Sequence, residues 1–280
     1  MMSVMTDVSP TSLPITTTRR FARSIKRLIF HKGWLAVLMV LVIWQIISFF
    51  LGGHGLVPSP ARTFATIWEV LVTGEFFVQL GDSLVRLLIG FSLAMAMGMI
   101  VGVLMGSRWF WNEFFKDIVI LGLSLPGLVY ALLSVVIFGT KLLAPVMAIL
   151  FASYPFIAVN MREGVKALDK DILDMSRAYK VGKWKVVKQV ILPALLPHIL
   201  AAIRTGFTIA WKASVLTEVF GATSGIGYMI RFNFQMFAVR GILAWSLLFG
   251  CVMLIIEYGI LIPAERYFAR WRPHLSEEVI

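Results

Sequence analysis

Uninterrupted apolar runs constrain this chain more than any other feature. Stretches such as "LLIGFSLAMAMGMIVGVLMG" (Leu87 to Gly106) and "GILAWSLLFGCVMLII" (Gly241 to Ile256) carry no charge at all. At about 1.5 Å per residue, roughly 20 such residues cross the ~30 Å hydrocarbon core of a bilayer. A backbone in lipid must satisfy its own polar groups, and the helix does so within a single segment. Charged residues make up 15% of the 280, where a soluble domain carries roughly 25%. The expected fold class is therefore an all-α integral membrane protein with about six transmembrane helices, near 34–51, 80–106, 118–139, 142–162, 194–217 and 241–262.

A net charge of +11 would suit nucleic acid, but the basic residues cluster beside the apolar runs, so no nucleic-acid partner is expected. Of the 26 Lys and Arg, 19 fall on the side holding both termini and the loop after the fourth span, and 4 on the other. That bias places residues 1–33, the loop 163–192 and the tail 263–280 in the cytoplasm, around a transmembrane domain 34–262 that sits in membrane lipid. "TTTRRFARSIKR" resembles a transit peptide in composition, yet no cleavage pattern follows Leu51, and an uncleaved first span fits better. Cys251 is the single cysteine and the four histidines are scattered, which leaves no metal set.

Gly90, Ala94, Gly98, Gly102 and Gly106 recur every four residues and draw a smooth ridge along the second span. Such a ridge lets another backbone approach closely, either inside the monomer or at a subunit interface. Pro126 and Pro155 interrupt the third and fourth spans and are expected to bend them around a cavity. Between the first two spans, "LVPSPARTFATIWEVL" places Phe64, Ile67, Trp68, Leu71 and Val72 at helical spacing, as an interfacial helix would. "GATSGIGYMIRFNFQMF" is rich in Gly and Ser, and an external loop or re-entrant gate is expected there.

The loop after the fourth span reads "DMSRAYKVGKWKVVKQVILPALLPHI". A short helix from about Lys170 to Tyr179 would carry Ile172, Met175, Ser176 and Tyr179 on one side. Gly182 would then turn the chain, since glycine takes positive φ freely. In a second helix Trp184, Val187 and Ile191 share a face with Val186 and Val190, opposite Lys185, Lys188 and Gln189; Pro193 would end it. A surface helix on anionic headgroups accounts for this periodicity as well as a docking element does.

This loop resembles that of binding-protein-dependent ABC importer permeases, whose pattern is Glu-Ala-Ala, three residues, Gly, nine residues, Ile-x-Leu-Pro. Here Asp174-Met175-Ser176 stands for the first part, Lys180 occupies the glycine position, Gly182 follows two residues late, and Ile191-Leu192-Pro193 closes it. "SLVRLLIGFSLAMAMGMIVGVLMG", "VILPALLPHILAAIRTGF" and "AWKASVLTEVFGATSGIGYMI" resemble their counterparts in order, in the nitrate/sulfonate/taurine/bicarbonate branch. The resemblance implies a type I permease fold, a cytoplasmic ABC ATPase dimer, an external substrate-binding protein and a second permease subunit; the single loop per chain suggests a homodimer, with a non-identical second subunit the alternative. Asp174, Ser176, Tyr179, Lys180, Gly182, Trp184 and Pro193 would form the ATPase-coupling loop. The chain lacks a G-x-x-x-x-G-K-[ST] loop, so no enzymatic activity and no bound cofactor are expected of it. ATP and Mg would be used by the partner.

Charges within spans mark candidate substrate paths. Arg204 is placed near mid-membrane, either in an ion pair or on an anion path, with Lys212 and Glu218 further out. Arg86 follows Asp82 at i,i+4, which suits a local pair, and both Arg86 and Lys212 are expected to pair or snorkel at a shallow position near the outer surface. The expected cargo is a small anion or organic acid; a neutral or cationic vitamin precursor is the alternative. A secondary transporter or channel would show internal repeats, and a membrane enzyme would cluster its acids, neither of which is evident.

Overall fold

The computed structural model describes residues 34–50 and 57–269, and all its regular structure there is helical. The two basic tails, apart from residues 263–269, lie outside the described residues. The chain divides at Arg62 into two units. The first holds α1, Trp34–Phe50. The Trp44 indole donates to Pro58 O (3.1 Å) and the Ser48 hydroxyl to Val57 O (3.1 Å), which ties the following segment back onto α1. The chain enters the second unit within α2, Pro60–Val72, and continues as α3, Glu75–Ser107; α4, Trp109–Ser124; α5, Gly127–Phe138; and α6, Leu143–Lys166. Next come α7, Lys170–Ala178; α8, Lys183–Gly221; α9, Ile226–Gln235; and α10, Val239–Phe268.

Four helices, α3, α6, α8 and α10, are long and apolar enough to cross a membrane singly; α4 and α5 make a fifth crossing as a pair bent by 99°. The sixth expected span is α1, at 17 residues the shortest. The third span departs from expectation in starting at Trp109 and breaking completely. Leu125 (ψ 131°) is extended, as the residue before a proline prefers to be, and Pro126 (φ −61°, ψ 141°) continues the extended chain. Pro126 also leaves Gly122 O without its helical donor, and the Tyr130 hydroxyl supplies one at 2.7 Å. Pro155, by contrast, lies inside α6, which continues through it as one helix.

The ridge on α3 is packing within the monomer. Gly90 faces Ile149, Gly98 faces Ile157, Gly102 faces Met161 and Gly106 faces Val165, a constant offset that makes α3 and α6 parallel neighbours. A Cβ on Gly98 would lie 2.6 Å from Ile157 Cβ and 2.9 Å from Tyr154 O. Ala94 is the largest residue of the ridge, and it is fully buried in the same cluster as Ile157. α8 runs antiparallel to α6, with Gly206 opposite Ile157 and Gly164 opposite His198. Leu87, Ile149, Phe207 and Trp211 fill the space among α3, α6 and α8. The Trp211 ring then stacks on Phe249 of α10, with centroids 4.8 Å apart.

At the end of the bundle away from α7, α9 replaces the expected loop. Ile226 and Met229 pack with Phe76, Trp245 and Leu248, and Ile67 and Leu71 of α2 cover them. Trp68 and Phe64 on α2 remain exposed, as an interfacial helix requires. The seam supplies a test. Gly98→Val should cost about 1–3 kcal/mol and lower the thermal midpoint in detergent by several degrees. Gly182→Ala, whose Cβ would meet nothing within 4 Å, should leave it unchanged.

Candidate functional site

α7 stands clear of the bundle at the end of α6. Asp169 caps it, its carboxylate accepting from Asp171 N (2.9 Å) and Ile172 N (3.4 Å). Asp174 and Arg177 pair along its outer side at 2.7 Å. Ile172, Met175, Tyr179 and, beyond the turn, Trp184 are all exposed, the last two at 79% each. Ser176 does not join them: it is buried, and its hydroxyl donates to Ile172 O.

The turn is made by Lys180, not by Gly182. Lys180 takes φ +52°, its N–H donates to Arg177 O, and Val181 N–H donates to Ser176 O at 2.9 Å. Those two bonds close the C-terminus of α7 through one left-handed residue, the position that glycine favours. Gly182 has φ −58° and instead caps α8, its carbonyl accepting from Lys185 N and Val186 N. The left-handed residue therefore sits where the family pattern has its glycine, with lysine in place.

Pro193 does not end the second helix. Between Val187 and Ile191 the ladder widens, so that Leu192 N–H donates to Val187 O five residues back. One such π turn absorbs the missing proline N–H, and α8 runs 39 residues from the hairpin to the far end of the bundle.

Glu218 is fully buried near the α9 end. Its Oε2 accepts from Ser83 Oγ (2.8 Å) and Gly227 N (3.0 Å), and its Oε1 from Arg86 Nη1 (3.1 Å). Arg86 also donates to the Ser224 carbonyl and hydroxyl. Its partner is thus Glu218 and not Asp82, which is exposed. A Cβ on Gly225 (φ +105°) would lie 2.6 Å from the Glu218 carboxyl carbon, so only glycine fits this corner. The network locks α3, α8 and the start of α9 together.

Arg204 is also paired. Its Nε donates to Glu257 at 2.7 Å and its Nη1 to Glu265 at 3.4 Å, both on α10. Eight residues in a plain helix would put those carboxylates about 80° apart. A second π turn, where Ile262 N–H donates to Glu257 O, takes up one residue and brings them to about 20°. Sequence reasoning missed both acids, although Glu257 is the single charge in the run 241–262.

Lys212 is exposed and makes no ion pair among the described residues. The α6–α8 register carries it to the level of Leu150 and Phe151, about 6 Å from the middle of α6 at ~1.5 Å per residue. It is deeper than the shallow outer position expected of it. At such depth a lysine facing lipid costs about 3 kcal/mol. On the same side of α8, Thr205 accepts from Asn160 Nδ2 (3.2 Å) and Leu216 lies beside Gly127 at the Pro126 bend. Of the four candidate path residues, Lys212 therefore lies on the face of α8 that meets Gly127, next to Pro126, while Arg204 and Glu218 are held by ion pairs.

Residues 94–262 match the family described as "Binding-protein-dependent transport system inner membrane component". The chain belongs to this family. It is an ABC transporter permease of the inner membrane, crossing it several times. SsuC of Bacillus subtilis, provisionally named an aliphatic sulfonates transport permease, is 28% identical over 88% of this chain and 90% of its own. The nitrate import permease NrtB of Synechococcus elongatus is 28% identical over 68% and 71%. The taurine transport system permease TauC of Escherichia coli is 25% identical over 81% and 84%. A chain of the MetNI methionine ABC transporter, inward facing, shares the fold with a TM-score of 0.57 at 18% identity, covering 69% of this chain and 95% of that one.

Two outcomes follow from the geometry. Glu218→Gln strands Arg86 and should destabilise by about 3 kcal/mol, partly restored by adding Arg86→Gln, as read by thermal unfolding in detergent. Lys180→Gly should relieve the strained turn by about 0.5–1 kcal/mol and slow hydrogen exchange at Val181 N–H, whereas Lys180→Pro should speed it.

Proposed function

We propose that this chain is the membrane-spanning subunit of an ATP-driven importer, working by alternating access with a second copy of itself. The observation that carries it is α7: a capped helix outside the bundle that presents Ile172, Met175 and Tyr179, with Trp184 beside them, to solvent. Large exposed side chains on a rigid element are what a partner's groove requires. The charge bias of the sequence puts that element in the cytoplasm, where an ATPase dimer would grip it. α8 continues from the same hairpin to Lys212 and Glu218, so movement of the handle reaches mid-membrane through one unbroken helix. A substrate-binding protein would deliver cargo at the α9 end. The named cargoes of the relatives, nitrate, taurine and aliphatic sulfonates, support a small anion or organic acid.

Tyr179→Ala with Trp184→Ala removes exposed rings and leaves the bundle untouched. The doubly substituted chain should insert and unfold as wild type does. Co-purification of the ATPase should be lost, and ATP-dependent uptake should fall at least tenfold, as for two interface anchors worth about 1–2 kcal/mol each. Undiminished uptake in the variant overturns the docking role of α7.

A further inference from the structure

We propose that Lys212 is the mid-membrane positive station past which a small oxyanion travels, in a water-lined path along the Thr205–Lys212 side of α8. This deepens the importer reading and rests on it. Three cations, Arg86, Arg204 and Lys212, lie inside the spans away from their ends, and the structure disposes of two. Arg86 is neutralised by Glu218, and Arg204 faces two carboxylates, which leaves its cluster with net negative charge. Of the two readings open for Arg204, the ion pair is the one the geometry takes, and its cluster would repel an anion.

Lys212 is what remains, and three separate features surround it. Its level, beside Leu150 and Phe151, sets its backbone about 6 Å from the middle of α6 at ~1.5 Å per residue. Seven residues toward the hairpin, Thr205 is exposed and bonded to Asn160, a polar edge that can hold water inside the membrane. One turn toward the other end, Leu216 abuts Gly127, where α4 and α5 part at 99°. That break exposes Pro126 and places a non-helical backbone beside the path, which lipid does not tolerate and a water-lined cavity does. A flexible ammonium with rotating donors suits an anion that must bind weakly and leave, where an arginine fork would hold it.

Water access and field are measurable without knowing the cargo. In Cys251→Ser full-length permease, assembled with its partners in membranes, Thr205→Cys is treated with anionic methanethiosulfonate ethylsulfonate or a cationic trimethylammonium analogue. Both should modify it. Lys212→Gln should lower the anionic-to-cationic rate ratio roughly tenfold, and Lys212→Arg should preserve it. The same ratio read at Ile209→Cys keeps the test available if one variant fails to insert. Labelling by a lipid-soluble maleimide alone, or a ratio that Lys212→Gln does not move, overturns the proposal. ATP-dependent uptake of taurine and nitrate separates the two ideas. Uptake with an unmoved ratio removes Lys212 alone, while a moved ratio with no ATP dependence removes the importer reading alone.

Discussion

Two backbones pressed together hold this protein in shape. In lipid there is no hydrophobic gain from bringing apolar helices side by side, so dispersion at short range must do it. The seam between α3 and α6 provides that range by keeping one partner to Gly or Ala at every fourth residue. Ile149, Ile157, Met161 and Val165 fill the space the glycines leave. Parallel α3 and α6 then present a groove in which α8 lies antiparallel. The stacked rings of Phe207, Trp211 and Phe249 carry the contact out to α10.

Around that seam the structure departs from regular helix wherever chemistry is concentrated. At Pro126 the ladder is cut, and a tyrosine hydroxyl repairs it. At Pro193 and at Glu257 it is widened, and no repair is needed because each N–H simply reaches one residue further back. The first widening lets α8 pass intact from hairpin to core. The second lets one arginine meet two acids. Glu218 does at the α9 end what these devices do elsewhere: it satisfies the N–H of Gly227 beside a left-handed glycine corner, using a charge that Arg86 balances.

Much of this was legible in the residues, for reasons that differ. The crossings could be read because lipid demands long apolar runs, and the α3 ridge because a four-residue period of small side chains has one structural use. The coupling hairpin was visible through its pattern, yet the nearby Gly182 drew the turn two residues too far. Conformation there is set by the closing bonds of α7, and Lys180 bears the strain. Arg86 could not be matched to Glu218 from spacing, because their meeting depends on α3 and α8 lying antiparallel. The depth of Lys212 likewise awaited the α6 register, which no local pattern contains. The π turns left no signal beyond Pro193, and Glu257 left one in being the sole acid of its run.

The widened turns also bear on how the chain tolerates changes in length. A residue removed from within Glu257–Leu261 would leave an ordinary helix whose flanking faces still look the same way, with Glu257 and Glu265 aligned. The same excision a few positions away would swing everything downstream by about 100°. Each π turn is thus a slot where ancestry can add or delete one amino acid without rewriting the rest of the helix.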